Sequence, residues 1–189
     1  DYYVNCANNP FNPIVFMGLS GSGKSTIARG FSSDAVILRS DEIRKESSGV
    51  AKDEHRYGSV GEGIYTPELT RQIYCTLLDK ALRYANEGRK VIVDATYLKA
   101  SQRTHFYNSS IEKGLNPFFV HCFASEDILR DRIRKRMQGG QDISDADLNV
   151  LDHQLQHLEE PDELPSFRVL RINTEDAIVN IVKALKEFL

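Results

Sequence analysis

Residues 14–26 read IVFMGLSGSGKST, and this stretch decides the fold. An apolar run, Ile14-Val15-Phe16-Met17, stops at a loop of glycines and serines, and a helical pattern starts at Lys24-Ser25-Thr26. Gly18, Gly23, Lys24 and Ser25 fall in register with G-x-x-x-x-G-K-[ST], in the strand–loop–helix context that this motif requires. Glycines at such positions let backbone N–H groups turn inward around phosphate oxygens, where a Cβ would obstruct them. The following helix aims the positive end of its dipole at the same place. The expected phosphate cradle is therefore Gly18, Ser20, Gly21, Ser22, Gly23, Lys24, Ser25 and Thr26, with the Lys24 ammonium on the β- and γ-phosphates and the Ser25 hydroxyl on Mg²⁺.

The rest of the chain bounds the class. Its 189 residues, 41% hydrophobic and 27% charged, suit one globular domain with a full core. A formal net charge of -3 argues against an extended duplex-binding surface, though a local basic patch remains compatible with it. The three cysteines, Cys6, Cys75 and Cys122, form no C-x-x-C pair and are odd in number. Reduced thiols in a cytoplasmic protein is the expectation. No stretch approaches the roughly 18–20 apolar residues of a membrane span. The chain starts at Asp1 rather than methionine, which suggests a domain excised from a longer protein.

Residues 1–13, with Asn and Pro, read as a lead-in, and residues 14–189 as the domain. After the helix expected over Lys24–Phe31, a second apolar run, Ala35–Leu38, ends in Arg39-Ser40-Asp41. Ser40 or Asp41 is placed to cap a short helix through Lys45. Residues 47–65 are rich in Gly, Ser and charge and read as a mobile loop over a site. Thr66 is a good N-cap and Pro67 a good first residue for a long helix with Leu69, Ile73, Leu77 and Ala81 on one face, closed at Asn86-Glu87-Gly88. The fully apolar Val91-Ile92-Val93, ending in Asp94, predicts a strand covered on both faces. There follow a helix over Ala100–Lys113, a strand over Phe118–Phe123, a basic helix over Glu126–Met137 broken at Gly139-Gly140, and a helix over Ser144–Leu158 capped by Ser144. Last come a strand over Phe167–Ile172 and a helix through Phe188 capped by Thr174. Strand and helix alternate throughout, which predicts an α/β architecture with a five-stranded parallel sheet between helices. Ligands bind such sheets at the carboxyl ends of the strands, where the loop after Met17, the Ser40-Asp41 segment and Asp94 should converge.

Four groups of residues carry the chemistry. Asp94 closes a VIVD strand and is expected to bind Mg²⁺ directly or through water; a plain strand-end cap is the alternative. Asp41 and Arg44, three apart, share one face of a helical turn. A carboxylate beside a γ-phosphate accepts the proton of an acceptor hydroxyl, and an arginine beside it holds an anion on that acceptor. Asp41 is the expected base and Arg44 the acceptor ligand, with a helix cap and a solvated charge as the bland readings and Glu42 as a rival base. Arg132 and Arg136, four apart in LRDRIRKR, share a helix face. They read as a lid that closes over the triphosphate, hinged at Gly139-Gly140, or as a solvated basic face or nucleic-acid contact. Arg103 opens the helix after Asp94 and is either an acceptor ligand or surface. His153 and His157, also four apart, lack a third ligand and read as surface histidines rather than a metal pair.

Taken together, GLSGSGKST, RSDEIR, GIYTPELT, VIVDATYLKASQR, LRDRIRKR and DISDADLNVLDHQ resemble the AAA-type, kinase-like P-loop domain found behind aminoglycoside-phosphotransferase-like domains in bacterial proteins. The resemblance covers residues 12–175. It extends to the kinase domains of polynucleotide kinases, zeta toxins, gluconate kinase and adenylylsulfate kinase. It implies the P-loop NTPase fold of nucleotide-kinase type with an arginine-bearing lid, ATP and Mg²⁺ as cofactors, and an upstream phosphotransferase-like domain as partner. The Asp-x-x-Arg of the polynucleotide kinases matches Asp41 and Arg44, and their lid arginines match Arg132 and Arg136. Adenylylsulfate kinase reads DGDNVR where this chain reads RSDEIR, a departure that points away from a sulfate-nucleotide acceptor. The expected activity is transfer of the ATP γ-phosphoryl group to a hydroxyl of a small molecule or a nucleic-acid end. The alternative is a nucleotide-binding regulatory module with slow or no ATP hydrolysis.

Overall fold

The computed structural model describes residues 11–31, 35–49, 66–139 and 146–188. Strand β1 (Ile14–Met17) is buried at all four positions and runs through the phosphate-loop segment into helix α1 (Lys24–Phe31). Strand β2 (Val36–Arg39) leads directly into α2 (Ser40–Ser47). Helix α3 (Pro67–Asn86) precedes β3 (Val91–Asp94), and α4 (Ala100–Glu112) precedes β4 (Phe118–Phe123). Helices α5 (Glu126–Gly139) and α6 (Leu148–His157) follow as a pair. A short 3₁₀ turn (Ser166–Arg168), β5 (Val169–Asn173) and α7 (Ile178–Phe188) complete the chain.

The five strands pair in the order β2-β3-β1-β4-β5, all parallel, as the alternating pattern predicts. Successive strand residues point to opposite faces, and β1 shows the consequence. Val15 and Met17 enter one core with Leu77 and Ala81 of α3 and Phe106 of α4. Ile14 and Phe16 enter the other with Ile27 and Ala28 of α1 and Ile181 and Leu185 of α7. A third, smaller core joins α5 to α6 through Leu129, Ile133 and Leu151. That pair is a separate apolar unit, with Leu19 of the loop after β1 packed against it.

Register fixes what meets at the carboxyl edge. Phe16 pairs with Asp94, and Asp94 pairs with Arg39. The Arg39 and Asp94 side chains therefore emerge on the same side at the same height. The RSDEIR segment sits beside the Asp94 strand, one strand further from the phosphate loop than a direct neighbour of β1.

Several local expectations hold. Thr66 caps α3, its Oγ1 accepting from Leu69 N at 3.3 Å, with Pro67 first in the helix. Others are corrected. Helix α2 begins at Ser40 itself, so its N-cap position is Arg39, which makes no side-chain cap, and the helix runs on to Ser47. Helix α6 starts four residues later than Ser144, with Asp147 as its cap; Asp147 Oδ1 accepts from Val150 N at 2.9 Å. Phe167 belongs to the 3₁₀ turn, not to β5. Thr174 does not cap α7, which starts at Ile178; its Oγ1 is engaged by Phe123 O and Arg132. The lead-in up to residue 10, Cys6, Gly140, Ser144 and most of the 47–65 segment lie outside the described residues. No helix among the described residues is long and apolar enough to cross a membrane.

Gly18 closes β1 with φ +135°, and a Cβ there would lie 2.1 Å from the Cys122 carbonyl oxygen of β4. A side chain must move the backbone of either strand. Gly18→Ala is expected to destabilise the protein by at least about 2 kcal/mol, read as a drop in the urea unfolding midpoint. A midpoint equal to that of the parent protein would contradict this packing.

Candidate nucleotide and acceptor site

The loop between β1 and α1 has the phosphate-cradle form. Gly21 and Gly23 adopt φ +80° and +82°, a region open to glycine without steric penalty. Lys24 is 8% exposed, and its Nζ donates to Leu19 O at 2.9 Å across the loop. Burial lowers the pKa of the Lys24 ammonium, against the pull of the Asp94 and Asp41 carboxylates, which favour the charged form. An anion delivered to this ammonium relieves the desolvation that disfavours its charge.

Asp94 is 5% exposed and accepts from Arg39 Nε at 3.3 Å. Arg39 Nη2 also points to Ser25 Oγ at 3.5 Å, and Nη1 lies 3.9 Å from Glu42 Oε1. The Ser25 hydroxyl and the Asp94 carboxylate are hard oxygen donors lining the same cavity, the donor set that Mg²⁺ prefers. They fit the metal expected of the motif. Glu42, the rival base, is thus drawn toward Arg39 rather than into the cleft, and it is absent from the cavity wall.

The cavity has a volume of about 1140 Å³. Its phosphate end is formed by Gly23, Lys24, Ser25 and Thr26, and its walls include Asp41, Arg44, Arg132 and Arg136. The residues singled out from LRDRIRKR divide by helix face. Arg130 bonds Glu126 and, at 2.5 Å, Asp152 of α6, and Lys135 pairs with Asp131. Arg132 turns the other way. Its Nη1 donates to Gly21 O at 3.2 Å and to Thr174 Oγ1 at 2.9 Å, and its Nη2 to Thr174 O at 2.7 Å. Arg136 donates to Ala146 O, beside the start of α6, and its charge is felt by Lys24.

Past Asp41 the cavity wall continues along α3, α4 and α6. Arg44, 7% exposed, donates from Nη1 to Thr70 Oγ1 at 3.3 Å. Tyr74 and Thr96 share a hydroxyl hydrogen bond of 2.9 Å, and the Tyr74 oxygen accepts from Tyr97 N at 3.0 Å. Tyr74, Tyr97 and Phe106 meet edge to face, giving this end an apolar floor under a hydroxyl rim. His153 and His157 stack with ring centroids 4.0 Å apart and line the opposite wall. His157 Nδ1 bonds His153 O. No group of three metal-binding side chains occurs among the described residues. Cys75 also lines this cavity, whereas Cys122 is buried beside the loop.

Arg103 is not brought into the site. It is 1% exposed and packs on the far side of the Asp94–Tyr97 turn. Its guanidinium meets Glu163 through Nε at 2.6 Å and Nη2 at 2.8 Å, Tyr97 O at 2.8 Å and Glu160 O at 3.0 Å. Tyr97 holds φ 46°, a strained backbone for a bulky side chain. Arg103 therefore acts as the fastener of the strained turn that follows Asp94, and the acceptor-ligand role is withdrawn.

Two site residues escape the sequence reading. One is Arg39. The other is Gln154, 7% exposed, whose Oε1 accepts from Ser20 N at 2.8 Å and whose Nε2 donates to Ser20 Oγ at 3.0 Å. One amide thus satisfies both polar groups of Ser20 and ties α6 to the phosphate loop. A glutamine in a polar helix carries no local signal of this; only its 134-residue separation from Ser20, closed by the fold, creates the contact.

A family model described as an AAA domain matches residues 14–161. An uncharacterized protein of Mycobacterium tuberculosis (strain H37Rv) is 27% identical over 129 residues, 67% of this chain but 26% of that protein. The matched segment thus spans about a quarter of the curated relatives' length; the Mycobacterium bovis relative gives the same figures. Among solved structures, a sugar kinase from Janibacter sp. HTCC2649 superposes with TM-score 0.65 at 20% identity, covering 93% of this chain and 92% of that one. A gluconokinase from Sinorhizobium meliloti 1021 gives TM-score 0.64 at 22% identity over 93% and 90%. The Mycobacterium tuberculosis APS kinase CysC in complex with AMPPNP and APS gives 0.63 at 19% over 94% and 97%. These likenesses establish the fold.

Two outcomes follow from the site geometry. Arg103→Ala removes one partner of a buried ion pair and should lower stability by about 3 kcal/mol, while ADP affinity of the folded protein, measured by calorimetry, stays within twofold; a selective loss of ligand affinity would restore its role in the site. Gln154→Ala leaves Ser20 N unsatisfied and should lower stability by about 1–3 kcal/mol. Gln154→Glu, which keeps an acceptor for that N–H, should recover most of it in thermal melts. Equal losses in both variants would show that the stability does not come from the acceptor that Gln154 offers Ser20 N.

Proposed function

The chain belongs to the AAA-domain family of P-loop kinase-like nucleotide-binding domains, and from that premise we propose that it transfers the γ-phosphoryl group of ATP to a hydroxyl. The observation that carries the reading is the placement of Asp41 on one cavity wall with Lys24 and Arg132. The carboxylate is near enough to the phosphate-loop lysine for its charge to act on it. Arg44 stands one helical turn further on, on the same cavity wall. A nucleotide-binding module without transfer needs the loop, but it does not need a carboxylate on the wall of a cavity that runs on past the loop to Arg44, Tyr74 and Thr96.

Each residue has a defined task under this reading. The loop amides and Lys24 hold the triphosphate with its γ-phosphorus toward the cavity. Ser25 and Asp94 would hold Mg²⁺, which when bound neutralises charge on the β- and γ-oxygens. The acceptor hydroxyl oxygen attacks the γ-phosphorus; its proton passes to Asp41, the new P–O bond forms, and the bond to the β-phosphate oxygen breaks to leave ADP. Lys24 and Arg132 face the oxygens on which charge collects, and preorganised cations there contribute because they need no rearrangement during reaction. Arg136 secures the lid against Ala146. Arg44 binds an anionic group of the acceptor, with Thr70, Tyr74 and Thr96 available as hydrogen-bonding partners. A free phosphorylated or carboxylated alcohol and the end of a nucleic-acid strand both present such a group.

The test is a transfer assay with radiolabelled ATP, Mg²⁺ and a panel of hydroxyl acceptors, in parent protein and Asp41→Asn. The expected result is transfer to at least one acceptor. Removal of the base should slow it by about 10²–10⁴-fold while ADP affinity stays within about threefold. Transfer at the parent rate by the variant would exclude Asp41 as base. Tight ATP binding with no transfer across the panel would favour the regulatory module.

A further inference from the structure

The two atoms best suited to hold the cation are already held by a residue of the chain. Arg39 Nε lies 3.3 Å from Asp94 Oδ2 and Arg39 Nη2 lies 3.5 Å from Ser25 Oγ. The Arg39 and Asp94 side chains are 8% and 5% exposed. A planar guanidinium directs separate N–H groups at separate oxygens, which an ammonium on a flexible stem does not. Parallel register holds it there, because Arg39 and Asp94 are paired residues of adjacent strands. A buried carboxylate without a counter-charge is strongly disfavoured. Lys24, whose positive charge acts on Asp94 from the phosphate loop, donates its hydrogen bond to Leu19 O instead.

We infer that Arg39 is a resident counter-cation at the metal's two side-chain ligands, giving the site a component of triphosphate binding that does not depend on a divalent ion. The inference rests on the kinase reading above, since it presupposes that the loop binds a nucleoside triphosphate. It assigns Arg39 a positioning role: its Nε hydrogen bond orients the Asp94 carboxylate, and its positive charge stands beside Ser25, at the edge of the phosphate cradle. In a site without Arg39, Asp94 would lose the guanidinium beside it, and a divalent ion would have to balance Asp94 as well as the phosphates that Lys24 and Arg132 face, so triphosphate affinity would rest more heavily on Mg²⁺.

The measurement is calorimetric binding of AMPPNP, which is not consumed, in excess Mg²⁺ and in EDTA, for the parent protein, Arg39→Ala and Arg39→Lys. The parent protein should lose less than about tenfold in affinity when EDTA replaces Mg²⁺. In Arg39→Ala that ratio should be at least about tenfold larger, equivalent to about 1.4 kcal/mol, with Arg39→Lys between the two. Equal ratios in parent and Arg39→Ala, within twofold, would overturn the inference. Melting curves report whether the variants fold. Should Arg39→Ala not fold, the parent protein decides alone: binding with Mg²⁺ but none in EDTA overturns the inference and leaves the kinase reading intact. No AMPPNP binding under either condition would remove both.

Discussion

The row of paired residues Phe16, Asp94 and Arg39 across three parallel strands is the constraint on which the site depends. Parallel pairing with strict alternation admits one register that keeps Val15, Met17 and Val93 in one core and Ile14, Phe16 and Ile92 in the other; a slip of one residue would exchange the faces. That register sets three chain exits at one height. Met17 leads into the phosphate loop, Asp94 into the strained Tyr97 turn, and Arg39 into the helix that carries Asp41 and Arg44. Nothing further is needed to bring residues 24, 41 and 94 to one cavity. The α5–α6 pair is placed separately, by the Leu129–Ile133–Leu151 core and by the Gln154 and Arg132 bonds to the loop.

Charge at this edge is arranged against the character of the whole chain. The protein carries a formal net charge of -3, yet Lys24, Arg39, Arg44, Arg132 and Arg136 gather around two carboxylates, Asp41 and Asp94. Several of these cations are buried, and burial disfavours the Lys24 charge in particular. A site with excess, partly desolvated positive charge binds polyanions because each phosphate oxygen replaces hydration that burial has removed. Around Arg44 the described cavity lining likewise holds no carboxylate beyond Asp41 and Asp94.

Much of this was legible from residue order. Short apolar runs, alternating with helices, declare a parallel sheet, and the G-x-x-x-x-G-K-S spacing declares its ligand end. Local capping chemistry placed the start of α3 at Thr66-Pro67 because a side-chain oxygen and a proline act within one turn. Most of the failures lie where distant partners decide; the start of α6 is a local one. Ser144 has the chemistry of an N-cap, but Asp147 performs it. Thr174 has it too, but its hydroxyl is taken by Phe123 O and Arg132. Arg103 stands in a helix opening next to the Asp94 turn, where it resembles a ligand; only Glu163, sixty residues away, shows that it is a fastener. Gln154 and Arg39 have meaning only once the fold delivers Ser20, Ser25 and Asp94 to them.

The central claim is that Asp41 faces the γ-phosphate across the position of an acceptor hydroxyl. A crystal structure with AMPPNP, Mg²⁺ and a bound anion or acceptor measures it most directly. The account expects the γ-phosphate between Lys24 and Arg132, the Asp41 carboxylate on its open side with room for one hydroxyl oxygen between them, and the acceptor's anion on Arg44. A γ-phosphate directed away from Asp41, or a lid that closes the space between them with no room for an acceptor, would contradict it.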